Sequence, residues 1–236
     1  MQFDDTVEEQ RSETGISPTG RTIKFPNTRG AGRDLAIKLE GYRENKDVFV
    51  LAPVLGGVLV AAEVAEQIDA PLDFIIIRRL LAPHGPGSQL CAVNVAGSLV
   101  IDEELMPRPA APESALDYFI TDALDELAKR ERICRGGRPA IDLAQKTVIL
   151  IDCGIRTCLT MRAAIRALRT KEPARIIVAV PVANPESRAT IESIADDVVC
   201  LAWPQPFGNA GVWYTDFSRP NDDEVGKLLD PAGRRD

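Results

Sequence analysis

The chain has 236 residues, 45% of them hydrophobic and 27% charged, with a net charge of −7. This length and apolar content suit one large domain with a sizeable core. The acidic balance excludes a general nucleic-acid binder, which needs basic surface to displace phosphate counterions, but leaves room for a local basic pocket.

Residues 1–21 are polar and carry Asp4, Asp5, Glu8, Glu9 and Glu13 without periodicity, as expected of a solvated tail. The rest, 22–236, contains no repeat and reads as one domain. A helix is expected from Gly32 to Arg43, with Leu35, Ala36 and Leu39 on one face. The buried strand VFVLAPV (48–54) ends at Gly56-Gly57. A small-residue helix carrying Val58, Ala61, Ala62, Val64, Ala65 and Ile68 follows, and a second β-rich run, LDFIIIRRL (72–80), comes after Pro71. Two such strands joined by a helix make a βαβ unit.

Pro83, Gly85, Pro86 and Gly87 mark a mobile loop. The run CAVNVAGSLVID then reads as a β-hairpin standing outside the main sheet as a hood. A long amphipathic helix fits 113–134, stopped by Gly136-Gly137. Strand TVILID (147–152), a helix with Met161, Ala164, Ile165 and Leu168, and strand RIIVAVPV (175–182) come next. A helix introduced by Asn184-Pro185-Glu186 and strand DVVCLA (197–202) complete the set. Apolar strands alternating with helices predict an α/β fold with a central parallel sheet covered on both faces.

The five cysteines (Cys91, Cys134, Cys153, Cys158, Cys200) form no CxxC pair and no even framework, and the acidic start is no signal peptide. Both features point to a reducing, cytoplasmic location. With one histidine, His84, no metal-ligand cluster is spaced in the sequence. No apolar run reaches the roughly 18 residues of a membrane helix. The expected partner is therefore a small-molecule substrate, with neither nucleic acid nor membrane; a homodimer stays open.

Ligands of open α/β sheets bind at the carboxyl ends of the strands. In VILIDCGIRTCLTM (148–161) an apolar strand delivers Asp152 to such an end, and Thr157 and Thr160 lead into a helix. Hydroxyls and free N–H groups at a helix start suit a phosphate, and a carboxylate suits ribose hydroxyls. The same residues also make an ordinary strand–loop–helix turn with Asp152 and Thr157 as caps. Cys153 and Cys158 lie close enough in the chain for a redox or nucleophilic pair, but no histidine partner is evident, and two small, half-buried residues are the plainer expectation.

This segment resembles the phosphoribosyl-pyrophosphate motif of the type I phosphoribosyltransferases. The likeness extends over FPNTRGAGRDLA, LAPVLGGVLVAAEVA, PLDFIIIRRLLAP, RGGRPAIDLAQKTVILID and VWYTDFSRPNDDEV. It implies the family's three-layer fold with a small hood, and a glycosyltransferase reaction. The donor would be a phosphorylated sugar with Mg²⁺ bridging pyrophosphate and ribose. Carried over, Asp152 meets the ribose hydroxyls as the catalytic carboxylate. The loop Cys153, Gly154, Arg156, Thr157, Cys158, Leu159 and Thr160 holds the 5′-phosphate. Gly56 and Gly57 admit pyrophosphate to the backbone, and Arg78 and Arg79 neutralise it. The motif is altered: Cys153 stands at the second acidic position, Cys158 and Leu159 replace the phosphate-loop glycine and the small residue after it, and Leu55 stands where a cation is usual. Cys158 would be strained if that position has φ > 0, at roughly 1–2 kcal/mol, and weakened donor binding is expected. Alternatives are a fold repurposed for an apolar metabolite and a non-catalytic regulatory module.

Overall fold

The computed structural model describes residues 24–81, 89–95, 98–102 and 113–229. In chain order its elements are β1 (Phe25–Asn27), α1 (Thr28–Lys38), β2 (Val48–Pro53), α2 (Val58–Gln67), β3 (Leu72–Leu81), β4 (Gln89–Val95), β5 (Ser98–Asp102) and α3 (Glu113–Arg135). Then come β6 (Thr147–Ile151), α4 (Leu159–Arg169), β7 (Arg175–Val182), α5 (Arg188–Ile194), β8 (Asp197–Ala202), β9 (Tyr214–Asp216) and α6 (Asp222–Leu228). The tail at 1–21 and the Pro/Gly-rich segment 82–88 with His84 lie outside the described residues.

Seven strands form one sheet in the order β5-β4-β3-β2-β6-β7-β8. The five from β3 to β8 run parallel. Their side chains alternate between two apolar layers, so both faces are covered and the strand sequences are almost continuously apolar. Val48, Val50, Ile149, Ile151 and Ile177 pack with Leu35 of α1, Val60 and Val64 of α2 and Leu127 of α3. Val148, Leu150, Ile176, Val178 and Val180 pack with Met161, Ile165 and Leu168 of α4 and with Ile191 of α5. This is the expected three-layer α/β architecture.

Two expectations change. The hairpin is no separate hood: β4 pairs antiparallel with β3 from Ile75↔Val95 to Leu81↔Gln89, and β5 continues the sheet. β3 is ten residues long, and the backbone groups along its outer edge need partners. The first helix begins at Thr28 rather than Gly32. Asn27 caps it by accepting the Gly30 N–H at 2.8 Å. Its glycine serves packing, since a Cβ on Gly32 would sit 2.7 Å from the Val60 carbonyl oxygen of α2. Buried Glu63 ties the two helices together, accepting from Arg29 at 2.8 Å and Arg33 at 3.1 Å.

Outside the main sheet, β1 and β9 form a short parallel ribbon, Phe25↔Tyr214 and Asn27↔Asp216. The Phe25, Tyr214 and Phe217 rings stack along it, with centroids 5.6 and 5.0 Å apart.

Candidate functional site at the strand ends

The sheet order reverses direction between β2 and β6, and a crevice opens at such a switch point. Asp152 follows the last residue of β6 there, half-buried. β2 ends opposite, where Gly56 and Gly57 bring the chain against that carboxylate. A Cβ on Gly56 would lie 2.6 Å from Asp152 Oδ1, and one on Gly57 would lie 2.6 Å from Asp152 Cα and overlap the Ile151 carbonyl. These glycines are thus required by the junction of β2 with β6, whatever ligand they also admit.

The Cys153 N–H donates to Asp152 Oδ1 at 2.7 Å. Burial pushes the Asp152 carboxyl from its ordinary 3.8 up to about 6, against the opposing pull of Cys153 and the Arg219 guanidinium. Burial, followed by the Asp152 charge, also drives the Cys153 thiol well above its ordinary 9.0. Cys153 is therefore a buried, protonated thiol, which removes the nucleophilic expectation for it.

The loop after Asp152 is fastened at several points. Tyr214 Oη donates to the Cys153 carbonyl. Ile155 exchanges backbone hydrogen bonds with the end of β7, its N–H to Val182 O at 3.0 Å and its carbonyl from Asn184 N–H at 2.7 Å. The Arg156 carbonyl accepts from Asn184 Nδ2 at 3.3 Å and Ser187 Oγ at 3.4 Å. Gly154 is pressed so closely that a Cβ would stand 2.8 Å from Ala210 Cβ. The loop is thereby preorganised, with Thr157 and Thr160 at the mouth of α4.

A cleft of about 390 Å³ lies over these groups. Leu55, Gly56, Arg79, Arg130, Asp152, Cys153, Gly154, Arg156, Thr157, Thr160, Asn209 and Arg219 are among its walls. Arg79, Arg156 and Arg219 are exposed, and among the described residues none of them has an ion-pair partner.

Several expected site residues fall elsewhere. β3 runs through Arg78 and Arg79 to Leu81, so the pleat sends the two arginines to opposite faces. Arg79 lines the cleft. Arg78 turns to α3 and pairs with Asp122 at 3.4 Å and with Glu126. Cys158 has φ −72° and ψ −8°, ordinary right-handed geometry, so the expected strain at the lost glycine is absent. Its thiol donates to the Ser187 carbonyl at 3.3 Å. Both Cys158 and Leu159 pack on the apolar layer beneath α4 and neither crowds the cleft.

Arg219, Arg130 and Asn209 are wall residues that sequence reasoning did not single out. Arg219 lies within the VWYTDFSRPNDDEV stretch, but only the β1–β9 ribbon carries it to Asp152.

Fold and site together define an α/β domain with an arginine-lined cleft at the switch point of a mostly parallel sheet. Residues 24–212 match the phosphoribosyl transferase domain family, to which the chain belongs. Two Mycobacterium tuberculosis proteins, from strains CDC 1551 / Oshkosh and ATCC 25618 / H37Rv, both carry the name putative phosphoribosyl transferase. Each is 35% identical over 213 residues, covering 90% of this chain and 48% of its own length. The chain spans about half the length of these curated relatives. The crystal structure of TT1426 from Thermus thermophilus matches with a TM-score of 0.73 at 34% identity, over 87% of this chain and 97% of that one. No helix among the described residues is long and apolar enough to cross a membrane.

The Mg²⁺ implied by the type I resemblance fits these residues poorly. Mg²⁺ wants oxygen ligands, usually one or two carboxylates together with substrate phosphates. Asp152 is the one carboxylate on the cleft wall among the described residues. One of its oxygens is taken by the Cys153 N–H, and a proton competes for the group up to about pH 6. Arg79, Arg156 and Arg219 share the same wall and repel a divalent cation. Among the described residues no three His, Cys, Asp or Glu side chains gather.

Proposed function

We propose that the chain is a phosphoribosyltransferase-like protein that binds a phosphorylated sugar in the cleft above 152–160. One observation carries this reading: a lone carboxylate at the sheet's switch point faces a cleft whose wall also holds Arg79, Arg156 and Arg219, which have no ion-pair partner among the described residues, and two threonines at a helix start. Asp152 accepts from ribose hydroxyls. Thr157, Thr160 and the first N–H groups of α4 hold the 5′-phosphate. Arg156, in the same loop, adds its cation to the 5′-phosphate, and Arg79 and Arg219 neutralise a leaving pyrophosphate. Transfer of the ribosyl carbon breaks its bond to pyrophosphate and forms one to an acceptor nucleophile. The protein's part is positioning and charge stabilisation.

Donor binding is weakened on the ribose side alone. Cys153 supplies no second carboxylate, and losing a charge-assisted bond costs ~1.5–3 kcal/mol. The phosphate side is unstrained, because Cys158 has helical geometry. The apolar-metabolite alternative loses support, since Cys158 and Leu159 pack away from the cleft. An open cleft likewise speaks against a collapsed, purely regulatory site.

Amide resonances of 152–160 followed by NMR test the reading. Phosphoribosyl pyrophosphate and ribose 5-phosphate should shift them. Asp152→Asn should weaken ribose 5-phosphate by about tenfold or more while barely changing inorganic phosphate. Equal weakening of both, or no shift with either sugar, would sink the assignment.

A further inference from the structure

We infer that the cleft takes its phosphorylated sugar without a divalent metal, arginine guanidiniums meeting the phosphate charge. The inference rests on the binding-site reading above and adds how the anion is neutralised.

Arginines outside the cleft are commonly compensated in this acidic chain. Arg29 and Arg33 share Glu63, Arg135 pairs with Asp73 and Arg169 with Asp196. Of the four arginines lining the cleft, Arg79, Arg156 and Arg219 come from separate stretches of the chain and have no carboxylate partner among the described residues other than the weak pull between Arg219 and Asp152. Arg79, Arg156 and Arg219 set against Asp152 leave these four groups at +2, or +3 once Asp152 takes a proton, and Arg130 adds a further cation to the wall. A phosphate monoester carries about −1.5 to −2 near neutral pH, so one phosphate is balanced with no metal added.

The chemistry of each group agrees. Guanidinium binds phosphate with two parallel N–H donors and stays charged at any working pH. Arg156 sits in the anchored loop, and its backbone carbonyl is held by Asn184 and Ser187, so its cation is delivered from a fixed base. The Arg219 guanidinium stacks on the Phe217 ring at 5.3 Å, which orients it without neutralising it. A metal arriving on the ligand's own phosphates would meet one oxygen of a single carboxylate and the like charges of the wall arginines.

Calorimetry with ribose 5-phosphate and with phosphoribosyl pyrophosphate, each in excess EDTA and in Mg²⁺, tests this on the full chain. Binding in EDTA should equal or exceed binding in Mg²⁺. Arg156→Gln should weaken the EDTA binding by roughly ten- to a hundredfold. Its side chain is exposed, and an unchanged melting curve verifies folding. Binding that strengthens tenfold or more with Mg²⁺ overturns the metal-free inference and leaves the sugar-phosphate reading standing. No binding under either condition overturns both. Full EDTA binding by Arg156→Gln overturns the arginine clamp.

Discussion

Replacing Asp152 by Asn separates the carboxylate's cost to the fold from its use. The Asp152 carboxyl is raised from 3.8 to about 6 by burial at the β6 tip. An acid whose folded pKa is raised binds more protons folded than unfolded between those two values. Its contribution is therefore most favourable below about pH 4 and is lost as pH climbs to 6, the opposite of a salt-bridged aspartate. Two pKa units correspond to ~3 kcal/mol. Because the side chain keeps contact with solvent in the cleft, ~1–3 kcal/mol is the working range. Asn keeps an oxygen for the Cys153 N–H and carries no charge. Urea unfolding of both proteins from pH 4 to pH 8 should show Asp152→Asn gaining on the parent as pH rises through 4–6. The gap should level off above that at ~1–3 kcal/mol, or several degrees in Tm for a domain of this size. Parallel pH profiles, offset by a constant, would refute the claim that a buried carboxylate is strained at neutral pH.

Gly57→Ala places a methyl against the backbone of Ile151 and Asp152, where two paired strands hold both sides. A loss of ~1–3 kcal/mol in urea unfolding is expected, with weaker ribose 5-phosphate binding because Asp152 is displaced. Tyr214→Phe removes the donor to the Cys153 carbonyl. It should cost ~1–3 kcal/mol and speed amide exchange at 154–157; exchange unchanged there would mean that the tether does not organise the loop.

Much of this was legible because parallel strands buried on both faces write themselves as apolar runs. TVILI and RIIVAVPV announced β6 and β7, and with them the position of Asp152. What failed to show depended on local geometry or distant pairing. Adjacent Arg78 and Arg79 looked equivalent until the length of β3 decided which face each took. Cys158 looked strained because a glycine was expected, yet glycine identity in relatives does not dictate φ here, and the chain turns into α4 with helical angles. Gly32 read as a helix start, although it lies inside α1, where the close approach of α2 requires the missing side chain. Arg219 carries no local signal at all: its approach to Asp152 depends on Tyr214 finding Phe25 across nearly the whole domain.

That last pairing orders events during synthesis. The sheet from β2 to β6 can assemble once Ile151 has left the ribosome, but β1 has no strand partner until Tyr214 follows, several seconds later at about 5–20 residues per second. Until then Phe25 lacks its ring neighbour, the Cys153 carbonyl lacks its tether and the cleft lacks its Arg219 wall. The nascent chain therefore passes through a stage with a nearly complete core and an unfinished binding site.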